Sequence, residues 1–262
     1  MTIPIIENTA ARTLEGHVSV ITGGNGGIGL GIAQGLASAG AQIAIWGRNR
    51  EKTVDAAESM RNVGFRVHYE VCDVSDEDQV HTAFQSTLAS CGKIDSVIAN
   101  AGIPSKPQLP WDISLEEWRR IHAVNLDGTF LTLREGSRYF VDRGSGGSMI
   151  VVSSTSAIHG APATAAYATS KTAVLGLMRS FAVALGRHKV RVNALLPGWT
   201  DTDMLAPGKS HQRFVEATVS RTPVRRWADP SDYAGAAIYL ADPRWSFHTG
   251  DALVVDGGYT IF

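Results

Sequence analysis

Tyr167 and Lys171 lie four positions apart in the segment Tyr167-Ala168-Thr169-Ser170-Lys171, and Ser154 lies thirteen positions before the tyrosine. On a helix that spacing puts the phenol and the ammonium on one face, one turn apart. A phenol, a nearby ammonium and a hydroxyl donor are the groups needed to give a proton to, or take one from, an oxygen beside a hydride carrier. Closer to the start, Thr22-Gly23-Gly24-Asn25-Gly26-Gly27-Ile28-Gly29 forms a glycine-rich turn. Glycines there let the backbone turn sharply, approach a phosphate closely and pack helix against sheet. The helix that follows presents unpaired N–H groups and a positive dipole end to a pyrophosphate. A Tyr/Lys pair alone arises often by chance, and a glycine turn alone is often structural; together they point to an oxidoreductase.

These groups need a scaffold that brings distant segments to one place. Short apolar runs at Val18–Thr22, Gln42–Trp46, Arg66–Val71, Ser96–Ala99, Ser148–Ser153, Val190–Leu196 and Ala252–Val255 read as strands. Helical stretches alternate with them: Gly27–Ser38, Arg50–Val63, a helix capped by Asp76 and running towards Cys91, and Ala165–Arg187. A long helical region spans Ser114–Arg143, with an irregularity expected near Asn125. Apolar strands alternating with helices imply a parallel sheet covered on both faces. The expected fold is therefore α/β: one Rossmann-type, doubly wound parallel sheet of about seven strands. Its domain should span 16–262, after a loosely ordered lead at 1–15, and no repeat or composition break marks a second domain.

With 44% hydrophobic residues among 262, the chain has ample material for one core. A net charge of −1 removes a general attraction to nucleic acid or anionic lipid. No apolar run reaches the ~18 residues of a membrane span, and no signal-peptide pattern opens the chain. Cys72 and Cys91 lack ligand-like spacing and suggest a reducing, cytoplasmic setting. Hydride chemistry needs no metal, and the eight histidines show no ligand spacing.

The end of the second strand should select the carrier. A carboxylate there would bond the ribose hydroxyls and repel a 2′-phosphate. The chain instead reads Trp46-Gly47-Arg48-Asn49-Arg50, in which Arg48, helped by Asn49 or Arg50, could grip a 2′-phosphate. NADP(H) is therefore favoured, with NAD(H) possible. Asp73 and Val74 follow the third strand, where the adenine edge would lie, and Asn100-Ala101-Gly102 follows the fourth, where small residues leave room for ribose. Asn125, Ser154 and Pro197-Gly198 also fall where strand ends gather around one crevice.

These motifs, in this order, resemble the short-chain dehydrogenase/reductase family from about Gly16 to Tyr259. The residues that carry the resemblance are the turn Thr22–Gly29, Asp73-Val74, Asn100-Ala101-Gly102, Asn125, Ser154, Tyr167-x-x-x-Lys171, Pro197-Gly198 and Val255-Asp256-Gly257-Gly258. Ala99 departs from the asparagine that many members carry before Asn100. The resemblance implies that Tyr167 is the general acid in reduction and the base in oxidation, and that Ser154 donates to the substrate oxygen. Lys171 would hold the nicotinamide ribose and, with the positive ring, favour the phenolate. Asn125 would keep a water in a proton relay, and Thr202 would orient the carboxamide, with Thr200 close by. A mobile lid is implied over about 202–226, as is a homotetramer (or homodimer) involving the helices around Asn125 and Tyr167 and the ending Tyr259-Thr260-Ile261-Phe262.

For the substrate side, Ser156, His159, Trp199 and Met204 are the candidate pocket walls. The expected activity is NADP(H)-dependent interconversion of a ketone and a secondary alcohol. An NAD(H)-dependent sugar or polyol dehydrogenase is the alternative, and a dinucleotide sensor without catalysis is a third reading.

Overall fold

In the computed structural model, residues 13–262 are described. Seven strands form one parallel sheet: β1 Val18–Thr22, β2 Gln42–Gly47, β3 Val67–Val71, β4 Ser96–Ala99, β5 Gly147–Val152, β6 Val190–Pro197 and β7 Ala252–Val255. Their spatial order is β3-β2-β1-β4-β5-β6-β7. The order reverses between β1 and β4, so loops leaving their carboxyl ends diverge and open a crevice.

The strands are buried on both faces because alternate side chains feed two cores. Ile21, Ile43, Ile45, Ile98 and Ile150 face one side, under α1 (Gly27–Ser38) and α2 (Arg50–Asn62). Val20, Trp46, Val97, Met149 and Val151 face the other. That side is covered by α3 (Glu77–Cys91), α5 (Gly128–Arg143) and α6 (Ala165–Leu185). The caps agree with the sequence: Asn49 accepts from the Lys52 N–H and Asp76 from the Gln79 N–H.

The expected break near Asn125 is a π-helical turn, Ala123–Asp127, between α4 (Leu115–His122) and α5. One wider turn re-aims a single side chain without ending the helix. Most boundaries match the sequence reading to within a residue or two. Between β6 and β7 lie helices the sequence did not announce: α7 (Ala206–Lys209), α8 (Gln212–Arg221) and α9 (Ala234–Ala241). α9, with sequence AGAAIYLA, is short and nearly all apolar, so it lacks the periodicity that identifies a helix. It packs beside α1 in the first core.

Of the expected loose lead, residues 1–12 lie outside the described residues. Leu14 is 2% exposed and its N–H donates to the Ala39 carbonyl, so it packs with the domain. Among the described residues no helix is long and apolar enough to cross a membrane.

Candidate active site

Ser154 follows β5, and its Oγ accepts from the Ser156 N–H at 3.1 Å, fixing the turn Thr155–Ala157. The first turn of α6 is held by Ser105, whose Oγ accepts from the Tyr167 N–H at 2.9 Å. Tyr167 is thereby aimed back at the end of β5, where the Ser154 side chain lies close enough to influence its hydroxyl. Lys171, one turn on, is 4% exposed; its Nζ donates to the Val152 carbonyl at 2.8 Å and lies 5.8 Å from the centre of the Tyr167 ring.

Asn125 is fully buried. It closes a two-way bridge with Ile103, accepting from its N–H at 2.8 Å and donating to its carbonyl at 3.1 Å, and it also donates to Ser170 Oγ. A methyl group placed on Gly102 would lie 3.3 Å from both Asn125 Oδ1 and Lys171 Nζ. The four residues expected to do chemistry are thus brought together from β5, the π turn and α6.

Burial sets the electrostatics. It lowers the Lys171 ammonium to about 8, because a charged amine loses hydration there. The same desolvation raises the Tyr167 phenol, and the Ser154 side chain only partly opposes it. The lowering expected from Lys171 together with the positive nicotinamide ring belongs to the site with the dinucleotide bound; the protein alone holds the phenol up. The ammonium is turned towards Val152 and is itself poorly hydrated, so it does not outweigh burial of the phenolate.

On the carrier side the glycine turn sits against β2 and β4. Asn100 holds it in place, donating from Nδ2 to the carbonyls of Thr22 and Gly23, while its own N–H donates to Thr22 Oγ1. A methyl group on Gly29 would fall 2.3 Å from the Gly23 carbonyl oxygen and 2.4 Å from Asn100 Nδ2, so only glycine permits this approach. Gly27 has φ +50 and lies against the Thr202 methyl. The α1 N-terminus at Gly26 has no side-chain cap and no acidic residue in its first turn. Its free N–H groups and narrow glycine cradle fit a pyrophosphate.

Asn25 donates to Thr53 Oγ1 and crosses over Gly47, where any side chain would collide with it. Arg48 is 71% exposed and forms a 3.6 Å ion pair with Asp73. Burial alone would raise the Asp73 carboxyl, but bonds from Ser75 and the charge of Arg48 hold it below its ordinary value. Val74 is buried against Gly128, and Ala101 accompanies Asn100, its N–H donating to Thr22 Oγ1. Gly198 lies against the Asp256 backbone after β6. Thr200 is buried, its hydroxyl engaged by the Gly198 carbonyl and the Tyr233 hydroxyl, leaving only its backbone for other contacts.

Trp199 belongs to a chain of edge-to-face rings the sequence did not assemble. It meets Phe214 at 5.1 Å and Tyr259 at 6.2 Å; Phe214 meets Trp227, and Tyr259 meets His159 at 5.9 Å. His159 Nε2 is buried without a hydrogen-bond partner. Ser156 is half-buried on the turn after Ser154, whereas Met204 is exposed on the turn Asp203–Leu205. The sequence missed Ser105, Ser170, Phe214, Trp227 and Tyr259 because their roles arise from contacts across the chain, not from local spacing.

Residues 23–260 match the family model described as Enoyl-(Acyl carrier protein) reductase. The chain is 34% identical over 250 residues to 2,5-dichloro-2,5-cyclohexadiene-1,4-diol dehydrogenase of Sphingobium indicum, covering 94% of this chain and 98% of that protein. It superposes on a short-chain type dehydrogenase/reductase from Mycobacterium marinum with TM-score 0.89 and 35% identity, over 94% and 96% of the two chains. A gluconate 5-dehydrogenase from Burkholderia cenocepacia, crystallised with NADP and tartrate, gives TM-score 0.91 and 35% identity over 96% and 98%.

Proposed function

The chain belongs to the short-chain dehydrogenase/reductase family, NAD(P)-dependent oxidoreductases acting on CH–OH groups, and from that premise we propose that it interconverts a ketone and a secondary alcohol with NADP(H). The observation that carries this reading is the convergence of Ser154 at the end of β5 with Tyr167 and buried Lys171 on one face of α6, the Lys171 ammonium bonded to the Val152 carbonyl beside them. A dinucleotide held in the cradle would provide the hydride chemistry at the carbonyl or carbinol carbon.

In reduction, Ser154 donates to the substrate oxygen as negative charge develops, and Tyr167 transfers its proton to the same atom. A phenol raised by burial is suited to remain protonated until that moment. In oxidation, Tyr167 removes the alcohol proton, and its phenolate draws on Lys171 and on the polar chain through Asn125. The glycine cradle, Asn100, Thr202 and the turn at Pro197-Gly198 would hold the dinucleotide, and Arg48 would meet a 2′-phosphate. Arg48 and the absence of a carboxylate after β2 support NADP(H), as does the NADP complex of the Burkholderia relative. NAD(H) is the alternative cofactor.

For the substrate, the aromatic chain Trp199, Phe214, Tyr259 and Trp227 offers apolar surface, and His159 Nε2 offers one unpaired polar atom. A polyol would leave most of its hydroxyls unpaired against such a wall. A carbocyclic ketone or alcohol with one further oxygen fits better, in keeping with the cyclohexadienediol named for the Sphingobium relative. A lid over about 202–226, carrying α7 and α8, closes this side.

Exposed Phe130, Val254, Ile261 and Phe262 support self-association, and sedimentation showing a monomer at micromolar concentration would remove that part of the proposal. The central experiment measures NADPH oxidation with a panel of cyclic and acyclic ketones for the wild type and Tyr167→Phe. The expected result is turnover that falls by about 10²–10⁴ in the variant with little change in NADPH affinity. Binding of NADPH with no turnover of any carbonyl would instead favour a dinucleotide sensor.

A further inference from the structure

Lys52 is the third residue of α2, outside every motif that marks the family, yet its side chain reaches back across the glycine turn. A methyl group placed on Gly26 would lie 2.8 Å from Lys52 Cε and 2.9 Å from Nζ, so the ammonium rests directly on the N-cap of α1. Its Nζ donates to Asp203 Oδ2 at 2.7 Å. Asp203 opens the short turn at the root of the 202–226 segment, next to Thr202, whose methyl packs on Gly27. Lys52 is also the cation among the residues that line the open depression there, with Asn25, Asn49, Glu51 and Asp55.

We infer that Lys52 is a phosphate-binding residue of the dinucleotide site, oriented by Asp203; the inference rests on the cofactor reading above. Stability does not explain the Lys52–Asp203 pair. The side chains are 48% and 89% exposed, and exposed pairs of this kind are worth ~0–1 kcal/mol. An ammonium has three donors, so Nζ can keep its bond to Asp203 and still offer two to a phosphate lying against Gly26. A phosphate oxygen is a strong charge-assisted acceptor. Lys52 then ties the dinucleotide to the root of the lid through one side chain. Its backbone N–H is bonded to Asn49 and is unaffected by changes at Nζ.

The phosphate in contact is either the pyrophosphate or a 2′-phosphate, and two nucleotides separate them. The purified full-length chain, Lys52→Met and Lys52→Arg are titrated with NADPH and with NADH, following nicotinamide fluorescence at several salt concentrations. Melting without nucleotide should be nearly unchanged in both variants, because the pair is exposed.

Lys52→Met should raise Kd about tenfold (~1.4 kcal/mol) and flatten its salt dependence, and Lys52→Arg should recover most of the loss. Loss for both nucleotides assigns the contact to the pyrophosphate; loss for NADPH alone assigns it to the 2′-phosphate. A wild type that binds, with Lys52→Met within twofold of it for both nucleotides, overturns the Lys52 assignment and leaves the cofactor reading intact. A wild type that binds neither nucleotide overturns both.

Discussion

Lys171→Met tests whether the amine behind Tyr167 is as buried as its surroundings imply. Methionine keeps the length and apolar stem and removes the titrating group. Lys171 loses its proton near 8 in the folded chain, against 10.5 for an unhindered lysine. That difference corresponds to about 3 kcal/mol at ~1.4 kcal/mol per unit. The sign follows from linkage. Between those two values the unfolded chain binds more protons than the folded one, so stability rises with pH across that window. The contribution is absent below about 8 and complete above about 10.5.

Urea unfolding at pH 7, 9 and 10 should therefore show the wild type gaining on Lys171→Met by about 1 kcal/mol at pH 9 and more at pH 10. At pH 7 the variant loses the bond to Val152 but also escapes the cost of a buried charge. It should be about as stable as the wild type there while losing most of its activity. Parallel pH curves for the two proteins would refute the burial argument, whatever the activity result.

Further predictions concern the carrier cradle and the fold. Arg48→Ala should weaken NADPH about tenfold more than NADH in direct titrations; equal losses would remove Arg48 from the cofactor choice. Gly29→Ala forces a methyl onto the Gly23 carbonyl and Asn100, and should cost roughly 2 kcal/mol in chemical denaturation as well as nucleotide affinity. His17 is buried against Ser96, and burial lowers its imidazole to about 4 from 6.5. Because the unfolded histidine takes its proton first, stability should fall by about 3 kcal/mol as pH drops from 6.5 to 4. His17→Gln should lack this part of the acid profile.

Much of the scaffold was legible because its signals are local. Apolar strands of four to eight residues, the Asn49 and Asp76 caps and the glycine turn each act within a few residues of themselves. The break at Asn125 was foreseeable too, although only the structure shows why it matters: the wider π turn delivers the amide to Ile103 and Ser170. α9 was not legible, since AGAAIYLA carries no contrast between faces and becomes a helix by packing beside α1.

The sequence by itself therefore determined the strand and helix pattern, the cradle's chemistry and which side chains could move a proton. Tertiary structure decided what those groups experience. Lys171 is lowered because β5, α6 and the π turn bury its ammonium, and partial burial raises Tyr167; desolvation depends on everything packed within a few ångströms. The ring chain from His159 to Trp227, and the reach of Lys52 to Gly26 and Asp203, join residues up to 151 positions apart. No local spacing encodes such neighbours, because only closing the sheet and laying its loops over the crevice brings them into contact.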